Sequence, residues 1–350
     1  MTTRRIHGTS RRSNVCGRLQ ARRSLRRTRI VLYAHQLAVL ALAAACGGST
    51  ADPRSTHVVV REVELTTDDS VRLAGEFAFP ANVGESKVAA VVLVGGSGAQ
   101  DRNGSRLELT GYQPLADIAE AITAEGIAVL RLDDRGAGKS TGTATGTTTT
   151  RSAIDVGVAI RWLRAQPEVD GDRIGIVGHS EGGLIAMLAA SSDTAIRTLV
   201  LLATPSRPGR EVARWQREWM ASSDVARFPP STRRRTLDEA ERAAEEQART
   251  DAWMREWFAL DPRDVARTLR GRALVIHGAQ DRQVPVEQAD ELARALREAG
   301  VTVEVMRSAG IDHLLLHDTD GDPRSYVRIV DRRVAREILE RIAVWLSQRS

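Results

Sequence analysis

The stretch VGHSEGG, Val177 to Gly183, sets a serine, Ser180, between glycines two residues before and two after it. The spacing G-x-S-x-G alone arises by chance in roughly one chain in seven of this composition, so its flanks must decide what it means. Before it stands RIGIV, a continuous apolar run of the kind that forms a strand buried on both faces. After it GGLIAMLAA opens a helical pattern. A serine on so sharp a strand-to-helix turn takes an unfavourable backbone conformation. Gly178 and Gly182 remove the side chains that would collide there, and Gly183 lets the helix pack close to the strand. The hydroxyl then projects beyond the carboxyl end of the sheet as a nucleophile, with a helix N-terminus facing the negative charge that develops on attack.

Such a serine needs a base, an orienting acid and donors for an oxyanion. Of the seven histidines, His7 and His35 fall in the N-terminal segment, His57 on the first strand and His179 inside the turn itself. His277 ends a buried strand and reads as a satisfied core residue. His313, in AGIDHLLL, follows the last predicted strand by a short loop and is the expected base, with His317 as the weaker alternative. Asp281, in VIHGAQDRQVP, lies just past a strand end and is the expected acid. Asp312 is weaker, because adjacent residues do not easily form the required hydrogen bond. The oxyanion donors are the N–H of Glu181 and one from the loop Gly95-Gly96-Ser97-Gly98-Ala99, either Ser97 or Gly98. The Glu181 carboxylate would oppose the charge stabilised beside it. It is expected to turn away and pair with Arg102 or Arg135, the alternative being a solvent-facing side chain.

The elements that must position these residues follow from hydrophobic patterning. His57 to Leu65 and Val71 to Ala78 alternate as an antiparallel hairpin turned at DDS. Val88–Val94, Gly126–Leu132, Arg173–Gly178, Thr198–Ala203, Arg272–Gly278 and Val301–Met306 are strand-like, most of them continuous apolar runs suited to parallel strands. Helical patterns at Pro114–Ala124, Ile154–Ala165, Leu184–Ala190, Val286–Ala299 and Val327–Leu346 lie between them. The expected fold class is α/β, with a mostly parallel, doubly wound sheet. Pro205 to Leu269 breaks the rhythm. It is rich in Arg and Glu, has no strand-like run and holds Trp215, Trp219, Trp253 and Trp257, four of the six tryptophans, in two i, i+4 pairs. It reads as a helical cap insertion (205–269) in a core of 57–204 and 270–350. Its tryptophans either pack helices together or form an acyl-binding ceiling, with Trp215 and Trp257 the positions to test. The threonine-rich Thr141–Thr150 reads as a loop.

The net charge of +5 is misleading, because residues 1–45 carry ten arginines and no acidic residue, leaving the rest of the chain net negative. The arginines run into an apolar stretch without aromatic interleaving, which speaks against nucleic acid as a partner and for an export signal. Leu42-Ala43-Ala44-Ala45 before Cys46 resembles a bacterial lipoprotein box. It implies removal of 1–45, lipidation of Cys46, a flexible tether over 46–56 and a membrane-anchored, extracytoplasmic location. Cys16 and Cys46 are the only cysteines, so the mature chain contains no internal disulfide. GAGKST lacks the first glycine of a phosphate-binding loop, DTDGD has Ile329 where a calcium loop needs Glu, and no zinc spacing occurs. No cofactor and no metal are expected.

Ser180, Asp281 and His313 stand in the order and strand-end positions of the α/β-hydrolase superfamily. GGSGAQDRNG, RLDDRGAGKSTG, GHSEGG, GAQDRQVP and DHLL together resemble bacterial esterase-like hydrolases of the dienelactone hydrolase and serine aminopeptidase group. The resemblance covers about residues 57–350 apart from the insertion. It departs at Gly95, where many relatives have the histidine of an HG pair. It implies a serine hydrolase acting on a small-molecule carboxylic ester through an acyl-enzyme. A peptidase or thioesterase is the nearest alternative, and a non-catalytic binding lipoprotein a more distant one.

Overall fold

The computed structural model describes residues 57–81, 86–224 and 229–348. The expected signal segment, Cys46 and the tether lie outside the described residues. Eight strands form one sheet in the order β1-β2-β4-β3-β5-β6-β7-β8: β1 (Val58–Thr66), β2 (Arg72–Pro80), β3 (Val88–Val94), β4 (Ala128–Leu132), β5 (Val169–His179), β6 (Thr198–Leu202), β7 (Arg272–Gly278) and β8 (Thr302–Ser308). β1 pairs with β2 and β2 with β4 antiparallel, and every other pairing is parallel.

Period-two alternation divides the apolar runs between two cores. Ala90, Val92 and Val94 of β3 and Ala273 and Val275 of β7 face one side. They pack there with α2 (Thr149–Arg164), α3 (Glu181–Ser192) and α8 (Glu287–Glu298). Val91, Leu93, Leu274 and Ile276 face the other side, against α1 (Pro114–Ala124) and α9 (Arg336–Ser347). With helices on both faces the strands need apolar side chains in both directions, hence continuous runs rather than alternation.

Three helices start three or more residues away from expectation. α2 begins inside the threonine-rich stretch because Thr148 accepts the N–H of Arg151 and caps the helix. α3 begins at Glu181, directly after the serine. The C-terminal helix is shorter than 327–346. Only a 3₁₀ turn, Tyr326–Arg328, precedes a non-helical segment, because Arg332 donates to the carbonyls of Ile329, Val327 and Thr110, and Asp117 of α1 accepts from Val334 N. Those bonds hold the backbone out of a helix until Arg336.

Between β6 and β7 run four helices, α4 (Gly209–Asp224), α5 (Pro230–Thr250), α6 (Ala252–Ala259) and α7 (Pro262–Ala266), with no strand among the described residues. α4, α5 and α6 pack on one another, and α6 also meets α2. Ala266 at the end of α7 is buried in the main core.

Candidate active site

Ser180 lies between the last residue of β5 and the first of α3, at φ 55° and ψ −122°. For a residue with a Cβ this region costs about 1–3 kcal/mol, and it persists because surrounding bonds over-determine it. Ser180 N donates to Leu202 O at 2.8 Å, and Ser180 O accepts from Gly183 N at 3.0 Å. A Cβ on Gly178 would collide with Gly182 O. One on Gly182 would strike Gly95 O, and one on Gly183 would strike Thr204 Oγ1. The three glycines thus allow the chain to double back on itself, on the β3 loop and on the residue beyond β6.

His313, in the loop after β8, places Nε2 3.1 Å from Ser180 Oγ and Nδ1 2.8 Å from Asp281 Oδ2. A carboxylate only accepts, so the Nδ1 hydrogen points at Asp281 and the Nε2 lone pair faces the serine hydroxyl. Asp281, in the turn after β7, is 2 % exposed, and its Oδ1 accepts the N–H groups of Gln283 and Val284, both at 2.8 Å. Burial pushes its carboxyl up, but the facing His313 and the donors around it hold it well below the usual carboxylate range. The two loops interlock: Ala279 N donates to Ser308 O, and Gln280 N to Ile311 O. His179 lies against the His313 ring, centroids 5.1 Å apart, and its Nε2 donates to His313 O at 2.8 Å. Burial, then the facing His313, push His179 down to about 3, leaving it a neutral donor.

The other candidates are not brought to the serine. His317 is exposed, with Nε2 3.5 Å from Glu337. Asp312 is fully buried beside the site, but its Oδ1 accepts Leu316 N at 2.9 Å and its Oδ2 has no partner among the described residues. Gly96 packs against the serine: a Cβ there would come 3.3 Å from Ser180 Cβ. Ser97 and Gly98 follow it on the open side of the loop. Asp134 secures that loop, its Oδ2 accepting Gln100 N at 2.9 Å and its N–H donating to Gln100 O at 3.0 Å.

Residues 111–320, more than half of the chain, match the family described as serine aminopeptidase, S33. The chain belongs to this family. No curated protein sequence matches it. Among solved structures it is similar to a Pyrococcus furiosus esterase, Pf2001. That match is 20 % identical with TM-score 0.51, over 84 % of this chain and 93 % of that one. It is also similar to Est1E of Butyrivibrio proteoclasticus, solved with ferulic acid bound, at 18 % identity and TM-score 0.54 over 81 % and 97 %. A third is dipeptidyl peptidase 4 of Porphyromonas gingivalis, at 19 % and TM-score 0.53 over 82 % of this chain and 35 % of that one. These likenesses establish an α/β-hydrolase fold.

In this S33-family chain the Glu181 carboxylate departs from both expectations. It is buried, 4 % exposed, and pairs with neither Arg102 nor Arg135. Its Oε1 accepts from Thr149 Oγ1 at 2.6 Å and from Trp253 Nε1 at 2.7 Å. The arginines are engaged elsewhere, Arg102 with Asp133 and Glu62, and Arg135 with Asp155 and Asp69. Glu181 therefore ties the first residue of α3 to the start of α2 and to α6, and Thr150 N adds a bond to Glu256 of α6 at 2.7 Å. Glu181→Ala is expected to lower Tm by several degrees, because the buried Thr149 hydroxyl loses its acceptor at about 1–3 kcal/mol and the half-buried Trp253 N–H loses the same partner. Glu181→Gln is expected to recover most of the loss, since one amide oxygen can take both bonds. Equal losses in thermal unfolding of the two variants would sink this account.

A cavity of about 780 Å³ opens beside the serine turn, lined by Gly96, Glu181, Asp134, Ile185, Val156 and Trp253 among others. Neither of the two tryptophans named as test positions for a ceiling lines this cavity. Trp253 forms the wall, Trp257 stacks behind it at 5.3 Å and 8° and covers Gly209, and Trp215 is not part of the lining. Burial raises Asp134 to about 7, and among the described residues only its Oδ2 is hydrogen-bonded. Among the described residues no group of three or more His, Cys, Asp or Glu could hold a metal ion.

Sequence reasoning overlooked two contacts. His277, read as core, lies 3.2 Å from Asp281 Oδ2, and Trp253, read with the other insertion tryptophans as packing or ceiling, donates to Glu181 Oε1. Neither contact has a sequence signal, since both join residues across a loop or an insertion.

Proposed function

We propose that the chain is a serine hydrolase that cleaves carboxylic esters through an acyl-enzyme. The observation that carries this reading is the hydrogen-bonded line Ser180–His313–Asp281, at 3.1 and 2.8 Å, with the serine held on a strained turn. Ser180 Oγ attacks the ester carbonyl while its proton passes to His313 Nε2, and Asp281 stabilises the imidazolium. The N–H of Glu181, with that of Ser97 or Gly98, receives the oxyanion. His313 then protonates the departing alcohol, and a water activated by the same histidine releases the acid. The leaving group must lie within reach of His313. The cavity borders Gly96 and Glu181 instead, so it takes the acyl part, with α4–α6 as its cap.

One observation favours peptidase action as a second reading: the cavity-lining Asp134 carboxylate, with one oxygen unbonded among the described residues, suits a cationic amino group. Fluorophosphonate labelling, with turnover of p-nitrophenyl esters and aminoacyl anilides, tests both. Labelling and ester turnover that depend on Ser180 are expected. An unlabelled wild type overturns the hydrolase reading, and anilide turnover without ester turnover selects the peptidase.

We also propose that the enzyme is exported and lipid-anchored through Cys46, on the strength of the apolar run ending in LALAAAC. In a bacterial host Cys46→Ser is expected to move the protein from the membrane fraction to the soluble one. Unchanged membrane association of that variant would refute the anchor.

A further inference from the structure

Asp281 has an N–H neighbour that the proposed reaction leaves unused. His277, the last but one residue of β7, is fully buried, with Nε2 3.0 Å from Val284 O and 3.2 Å from Asp281 Oδ2. A backbone carbonyl only accepts, so the hydrogen sits on Nε2. Nδ1 is buried with no partner among the described residues, and a second hydrogen there would have no acceptor. The ring is thus a one-sided donor, bonded to a carbonyl, with the carboxylate oxygen that also serves His313 3.2 Å from the same nitrogen.

The carboxylate sits within a cage of N–H groups. Oδ1 is gripped by the N–H groups of Gln283 and Val284, Oδ2 accepts from His313 Nδ1, and His277 Nε2 lies 3.2 Å from Oδ2 on its other side. With Oδ1 held by the N–H groups of its own turn, Asp281 could still pivot about its Cβ–Cγ bond and swing Oδ2 out of line with the imidazole. A ring fixed to β7, which is flanked by β6 and β8, restrains that swing. It also draws negative charge from Oδ2, which limits how strongly the carboxylate stabilises an imidazolium.

Resting on the hydrolase reading above, we infer that His277 is a positioning residue, aligning Asp281 Oδ2 with His313 and moderating its basicity. Other ionisable groups also face this cluster: His179 from the end of β5 against the His313 ring, and Asp312 and Tyr326 from the loops beyond β8. They are unchanged in the variants that test the role.

The experiment compares His277→Phe and His277→Gln in the full chain. It follows kcat/KM against pH for a p-nitrophenyl ester, and ¹⁵N-histidine spectra of the wild type. In His277→Phe the acid limb is expected to move up by about 0.5–1 pH unit, because an Oδ2 with one donor fewer favours the imidazolium more strongly. His277→Gln, which supplies an amide N–H, is expected to return the limb most of the way. A merely structural histidine would lower Tm in both variants and leave the limb in place, and that result overturns the inference. So does a wild-type spectrum showing the hydrogen on His277 Nδ1, a readout that decides even if His277→Phe fails to fold. Absence of Ser180-dependent turnover in the wild type counts against the hydrolase reading instead. Turnover with an unmoved limb counts against His277 alone.

Discussion

Ser180→Ala is expected to lower kcat for a p-nitrophenyl ester by about ten-thousand- to a million-fold, with KM changed little and Tm within a few degrees of wild type. The variant removes the one atom that forms the acyl bond and leaves its surroundings intact. The turn is held by backbone bonds of Ser180 to Leu202 and Gly183, which alanine also makes, and by glycines whose contacts involve no serine oxygen. His313 stays on Asp281, and the oxyanion donors stay in place, so residual turnover above the uncatalysed rate is expected from binding and oxyanion stabilisation alone. Fluorophosphonate labelling is lost altogether. A variant that retains a tenth of wild-type turnover would mean that another residue is the nucleophile.

Asp281→Asn is expected to cost about a thousand- to ten-thousand-fold in kcat, whereas Asp312→Asn costs little activity and stabilises the protein at high pH. The direction of the first effect follows from the donors around the carboxylate. Oδ1 accepts two backbone N–H groups, so an asparagine must place its carbonyl oxygen there and its NH₂ at the Oδ2 position. That NH₂ donates to His313 Nδ1 and moves the imidazole hydrogen to Nε2, facing Ser180. The base then has no lone pair for the serine proton.

Asp312 behaves oppositely. Burial raises it to about 7 against an unfolded value near 4, so the folded state binds more protons than the unfolded one between those pH values. Stability from this group is fully present below about pH 4 and declines as pH rises to about 7. The decline amounts to at most about 4 kcal/mol. An asparagine copies the neutral carboxyl, so Asp312→Asn should match the wild-type Tm at pH 4 and exceed it by several degrees at pH 8. Equal Tm values at both pH values would show that Asp312 titrates as it does in the unfolded chain.

How far the site could be read in advance depended on the range of the interaction concerned. Ser180, Asp281 and His313 are conspicuous because each follows a strand-like run by a few residues, and strand ends in an α/β sheet share one edge. The partners of Glu181 were not accessible in this way. Thr149 is 32 residues away and Trp253 is 72, and the nearby arginines are claimed by Asp133, Asp155, Glu62 and Asp69. Likewise the periodicity of Val327–Leu346 suits one long helix. Only the bonds of Arg332 to three carbonyls and of Val334 N to Asp117 show why its first turns do not form.

By itself the sequence determined the α/β class, the parallel sheet with its antiparallel start, the serine turn and the position of the inserted helices. Each of these follows from hydrophobic period, glycine placement and chain order, which act over a few residues. Tertiary structure alone decided which oxygen of Asp281 meets His313, that His277 shares it, and that the Glu181 carboxylate is held by Thr149 and Trp253. Those contacts depend on competition among buried donors and acceptors from distant segments, and that competition is resolved only when the core has packed.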